Sequence, residues 1–118
     1  MNGRRVLLVE DDESLGFLIK DSLDAAGWMV WRCGDGEKGL SAFLSHPFDV
    51  CVLDVMLPNC DGFSLASEIR KYNQRIPVIF LTARSLTEDR IRGFQVGADD
   101  YVCKPFSIEE FKYRLAAV

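Results

Sequence analysis

Five short apolar runs punctuate the chain: Val6-Leu7-Leu8-Val9, Met29-Val30-Trp31, Val50-Cys51-Val52-Leu53, Val78-Ile79-Phe80-Leu81, and the weaker Tyr101-Val102-Cys103. Each is nearly continuous in its apolarity, the pattern of a strand covered on both faces. Between them, apolar positions recur at helical spacing. The first such stretch places Leu15, Leu18, Ile19 and Leu23 on one face and stops at Gly27, a residue suited to the left-handed turn after a helix. Further helices are predicted over Asp35 to Ser45 and Asp61 to Lys71, and a fourth from Ser85 to Gly97 with Ile91 and Phe94 apolar. Ser85-Leu86-Thr87-Glu88 and Ser107-Ile108-Glu109-Glu110 are capping-box sequences, so they mark the starts of the fourth and fifth helices independently of hydrophobicity. Strands alternating with helices predict an α/β fold, a three-layer αβα sandwich around a five-stranded parallel sheet.

Length makes this one domain over residues 1–118, with enough chain to bury a single core. The last residues, Leu115-Ala116-Ala117-Val118, carry no Gly or Pro stop signal, and a longer protein is expected to continue beyond them. The apolar runs are far too short to cross a bilayer, and Met1-Asn2-Gly3-Arg4-Arg5 leads straight into a strand without an apolar signal region. No membrane is expected, and the expected place is the cytoplasm. A net charge of −4 argues against this segment binding nucleic acid by itself, because a phosphate backbone is met by clustered Lys and Arg. Cys33, Cys51, Cys60 and Cys103 form no C-x-x-C pair, and His46 is the one histidine; free thiols fit better than a zinc site.

In open parallel sheets ligands bind beyond the carboxyl ends of the strands, so the polar residues at those ends are the candidates. The first strand ends in Glu10-Asp11-Asp12, the third in Asp54, the fourth in Thr82 and the fifth in Lys104-Pro105. The second ends in Cys33-Gly34-Asp35 and offers nothing comparable, as expected of an edge strand. Carboxylates converging on one rim repel one another unless a cation intervenes. Magnesium suits this set: it takes oxygen ligands, keeps several waters and commonly uses one or two carboxylates. Asp11 and Asp54 are its expected direct ligands, with Glu10 acting through water. Glu10-Asp11-Asp12-Glu13 taken alone also fits helix capping and pairing with the helix dipole. A carboxylate such as Asp54 attacks phosphorus to give an acyl phosphate if charge on the equatorial oxygens is neutralised, and Lys104, the Thr82 hydroxyl and the metal are placed to do so.

The runs Val9-Glu10-Asp11-Asp12, Leu53-Asp54-Val55-Met56-Leu57-Pro58 with Asp61-Gly62, Leu81-Thr82-Ala83-Arg84, and Gly97-Ala98-Asp99-Asp100-Tyr101-Val102-Cys103-Lys104-Pro105-Phe106 together resemble the response-regulator receiver domain of two-component systems from end to end. Four motifs in this order and spacing are specific. Asp89-Arg90-Ile91-Arg92-Gly93 and the Gly-Ala-Asp-Asp-Tyr ending resemble the branch whose members carry a C-terminal winged-helix DNA-binding domain. The resemblance implies a flavodoxin-like strand order 2-1-3-4-5, phosphorylation of Asp54 by a sensor histidine kinase, and Mg2+ held by Asp11, Asp54 and the Met56 carbonyl, with Glu10 through water. It makes Thr82 and Lys104 contacts of the phosphoryl group, Thr82 and Tyr101 the switch pair, and the Lys104-Pro105 bond cis. It further implies a homodimer on phosphorylation through the fourth helix, last strand and fifth helix. There Arg90 would pair with Glu110 and Asp100 with Arg114 across subunits, around Ile91 and Phe94. DNA would be met only through a separate output domain, and the segment would not be a conventional enzyme.

Rival readings are set aside by particular positions. A flavin-binding electron carrier on this fold needs a Ser/Thr/Gly-rich phosphate loop after the first strand, where Glu10-Asp11-Asp12-Glu13 stands instead. An aspartyl phosphatase usually places a second carboxylate two residues after its nucleophile, and that position is Met56. A degenerate receiver, binding partners without phosphorylation, stays open.

Overall fold

The computed structural model describes residues 4–58, 60–83, 91 and 94–118. Strands β1 (Arg5–Val9), β2 (Met29–Cys33), β3 (Val50–Asp54), β4 (Val78–Thr82) and β5 (Asp100–Cys103) form one parallel sheet in the order β2-β1-β3-β4-β5. Helices α1 (Glu13–Ala25), α2 (Gly36–Ser45), α3 (Gly62–Arg70) and the C-terminal α4 (Ile108–Ala117) pack on it. The predicted sandwich and strand order are both present. Most of the predicted fourth helix, including its capping box and Arg90, lies outside the described residues; Ile91, Phe94 and Gln95 are helical.

Successive side chains of a strand point to opposite faces, and the core splits accordingly. Leu7, Val9, Cys51, Leu53, Val78, Phe80 and Tyr101 meet Phe63, Leu65, Ala66 and Ile69 of α3 and Ala42 of α2. Val6, Leu8, Val50, Val52, Ile79, Leu81 and Val102 meet Ile19 and Leu23 of α1 with Phe111 and Leu115 of α4. This two-sided burial explains why the strands read as unbroken apolar runs. β2 is the exception: at the sheet edge, Met29 and Trp31 are exposed.

Helix starts follow the local chemistry. Asp12, Asp35, Asp61 and Ser107 are N-caps, each accepting a backbone N–H three residues on. Gly27 and Gly97, predicted as helix stops, adopt φ of 96° and 86°. One expectation is corrected. Leu18, assigned to the buried face of α1, is 48% exposed. At about 100° per residue, a buried stripe through Gly16, Ile19 and Leu23 leaves Leu18 on its flank.

Candidate functional site

Because β1 and β3 are neighbours while the chain runs from β1 out to β2 and back, strand order reverses between them, and the rim there opens a crevice. Glu10 and Asp11 leave the end of β1 into that crevice, and Asp54 ends β3 beside them. Among the described residues, Glu10, Asp11 and Asp54 offer carboxylate oxygens that all lie within 4.8 Å of one another. Glu10 has no exposure and Asp54 2%, whereas Asp11 faces solvent. Asp12, next in the run, turns away to cap α1, so the four-residue acidic run divides between site and helix start.

Asp54 is held from two sides. Its Oδ1 accepts the Met56 N–H at 2.9 Å, and its Oδ2 accepts Lys104 Nζ at 2.9 Å. The loop that supplies Met56 folds back tightly: Gly62 donates its N–H to Val55 O at 2.9 Å, and a Cβ at Gly62 would collide with the Asp54 carbonyl oxygen. Lys104 Nζ also faces Glu10 Oε1 at 2.9 Å as an ion pair without hydrogen-bond geometry. Glu10 Oε2 accepts the Asp12 N–H at 3.1 Å. Lys104 is placed by its backbone, which donates to Thr82 O at 2.6 Å, and is followed by a cis bond to Pro105 as the resemblance implied. Thr82, fully buried, ends β4; Tyr101, 8% exposed, turns into the core with its ring 6.3 Å from that of Phe80.

The electrostatics follow from this crowding. Burial, and then the neighbouring Asp54 carboxyl, push the Glu10 pKa up to about 7, against the pull of Lys104 and the Asp12 N–H. Burial works to lower the Lys104 pKa, but its hydrogen bond to Asp54 and its contact with Glu10 outweigh that and raise it. Two buried acids thus share one ammonium, an arrangement short of positive charge. An all-oxygen donor set, with a buried Glu10 oxygen that lacks a directed hydrogen bond, fits a hard divalent cation.

A family model, the response regulator receiver domain, matches residues 6–116. The chain belongs to this family. This receiver domain is 53% identical over 114 residues to the transcriptional regulatory protein RprY of Bacteroides fragilis, covering 97% of the chain and 48% of that protein. It is 42% identical over 114 residues to the transcriptional regulatory protein QseB of Haemophilus influenzae, covering 97% and 52%. The chain therefore spans about half the length of the curated relatives it matches. Among solved structures, the non-phosphorylated HemR receiver domain from Leptospira biflexa is similar at a TM-score of 0.92 and 38% identity, over 97% of this chain and 92% of that one. The receiver domain of Francisella response regulator 1452 gives 0.91 and 37%, over 98% and 95%.

The sequence pointed to Glu10, Asp11, Asp54 and Lys104, and the receiver fold brings these together. Two features escaped it. Arg32 of β2 donates to Glu10 O at 2.6 Å, so the edge strand does reach the rim, through a side chain rather than its end. The Met56 N–H is a donor to Asp54, whereas the resemblance singled out the carbonyl of that residue. On the far face, Arg114 pairs within its own chain, at 3.0 Å with both Asp100 oxygens and with Glu110, while Ile91 and Phe94 are 52% and 57% exposed.

Proposed function

We propose that this receiver domain takes a phosphoryl group on Asp54 from a phosphohistidine of a sensor histidine kinase and passes the change to an output domain that controls transcription. The observation that carries the reading is the Asp54 carboxylate, nearly buried yet on the rim, held at both oxygens by the Met56 N–H and Lys104. A carboxylate oxygen keeps lone pairs beyond those two bonds. In the transfer, a P–O bond forms at Asp54 as the P–N bond to the imidazole breaks, and the imidazole leaves with the electron pair. Lys104 remains beside the new acyl phosphate and meets its charge, and the Thr82 hydroxyl, one strand over, supplies a further contact. Asp11 and Asp54, with the Met56 carbonyl and Glu10 through water, would hold Mg2+, which when bound neutralises charge on the phosphoryl oxygens.

A phosphoryl group brings about −1.5 to −2 charges to the rim. Drawing Thr82 toward it would make room for further inward movement of Tyr101 and alter the face of β5 and α4. We place the dimer contact on that face. Asp100, Glu110 and Arg114 would exchange their pairing within one chain for pairing across two, beside Ile91 and Phe94, a self-complementary charge set. The homologues' transcriptional role would come through a second domain, which would supply the DNA contact.

Intact mass measured after incubation with acetyl phosphate tests the chemistry. One phosphoryl adduct is expected, dependent on magnesium and absent from Asp54→Ala. No adduct on a folded protein that still binds magnesium would replace this reading by a phosphorylation-independent binding module.

A further inference from the structure

We infer that Arg32, on the edge strand, is a positioning residue of the phosphoryl site, locking the Glu10–Asp11 peptide so that both carboxylates aim at Asp54. The inference rests on the receiver chemistry proposed above. The β1–β2 ladder runs to the pair Val9 and Cys33, and Glu10 adds one more rung by donating its N–H to Cys33 O at 3.0 Å. Beyond that rung β2 turns off to Asp35, the cap of α2, and among the described residues it provides no further main-chain donor. The next acceptor, Glu10 O, is met by the Arg32 guanidinium at 2.6 Å, a short charge-assisted bond. A peptide unit is planar, so fixing this carbonyl also fixes the Asp11 N–H and the Cα atoms of both residues. The side chains of Glu10 and Asp11 leave from those two atoms.

The surroundings are fitted to this placement. Gly16 lies in α1 where the arginine stem crosses, and a Cβ there would stand 2.7 Å from Arg32 Nε and 3.3 Å from Cδ. Helix propensity disfavours glycine at such a site. The stem is packed so closely that Nε is buried with no hydrogen-bond partner among the described residues. Among the described residues only Nη2 reaches an acceptor, and that acceptor belongs to the acidic loop.

Charge and alignment predict opposite signs, which makes the test decisive. If Arg32 acted only as a cation near the acids, removing it would tighten the binding of a divalent ion. If it aligns them, removing it weakens binding, by about tenfold on the scale of groups that orient metal ligands. Magnesium is titrated by calorimetry into the wild type, Arg32→Met, Arg32→Lys, Gly16→Ala and the Gly16→Ala/Arg32→Met double variant. We expect roughly tenfold weaker binding for Arg32→Met and part of that loss restored in Arg32→Lys. Gly16→Ala should also weaken binding, by pushing the guanidinium aside with its charge intact, and should add nothing in the Arg32→Met background. Unchanged or tighter magnesium binding in folded Arg32→Met overturns the inference. Should that variant not fold, unchanged binding in Gly16→Ala overturns it instead. A wild type that takes up no magnesium sinks the receiver chemistry itself and the inference with it.

Discussion

Gly62 shows how a single missing carbon shapes this site. Its Cα lies against the carbonyl of Asp54, and its N–H closes the turn onto Val55 O at 2.9 Å. Alanine would be a good helix residue at this first position of α3, yet its Cβ would meet backbone that has no rotamer into which to retreat. Gly62→Ala is therefore expected to destabilise by about 1–3 kcal/mol, the range of an overpacked core. It should also slow phosphoryl uptake by roughly tenfold or more, since small misplacements of a reacting group are costly. Urea denaturation and the rate of acetyl phosphate labelling measure the two effects, and normal labelling in a destabilised variant would show that the turn does not position Asp54. Asp54, Glu10, Asp11 and Lys104 were legible in the sequence because strand ends converge by topology. Gly62 was legible only as part of a motif, because its reason is a collision that no residue pattern displays.

Among the elements, the end of α3 carries a fastening out of proportion to its exposure. Arg70 donates to four carbonyls: Nε to Val96 at 3.1 Å, Nη1 to Asn73 at 3.3 Å and Ile76 at 2.7 Å, and Nη2 to Gly97 at 2.7 Å. One guanidinium thus joins α3, the turn into β4 and the turn into β5, where Gly97 takes the left-handed φ of 86° that ends the preceding helix. Truncation to Arg70→Met would remove charge-assisted bonds and leave partly buried carbonyls without donors, a loss of about 2–4 kcal/mol. Arg70→Lys should restore little, because one ammonium does not span a planar fork of acceptors. A full rescue by lysine in denaturation measurements would refute the fastening. The helices themselves were legible from caps and periodicity. Their facing was less so: Leu18 has the spacing of a core residue and is exposed, because the buried stripe runs through Gly16, Ile19 and Leu23, and the sequence places its centre only to within a side chain. Arg32 and Arg70 escaped notice for one reason. Arg32 bonds the carbonyl of Glu10 and Arg70 those of Val96 and Gly97, all more than twenty residues away, and a carbonyl carries no residue identity.

At the scale of the whole molecule, the acidic rim trades fold stability for site chemistry, and the trade has a sign in pH. Glu10 holds its proton up to about pH 7 in the fold, against an ordinary value of 4.5, because burial comes first among the causes and Asp54 adds to it. Between those limits the folded chain binds more protons than the unfolded one, so stability falls as pH rises. In chelator, the contribution is fully present below about pH 4.5 and is lost through pH 7, a change on the order of 3 kcal/mol. Lys104, raised by its acid partners, titrates above this window and leaves the slope untouched. Magnesium should act in the opposite direction, since Glu10 must shed its proton to hold a metal-bound water as a carboxylate, and its stabilisation should grow across the same interval. Urea midpoints taken at pH 5, 6, 7 and 8, with chelator and with magnesium, should diverge as pH rises, and Glu10→Gln should flatten the chelator curve. A flat wild-type curve, or a slope that survives in Glu10→Gln, would remove Glu10 from this role. The divergence, if found, makes the unloaded domain least stable in the pH range where the loaded site is best formed, so that cation binding would do most to hold the rim together at neutral pH.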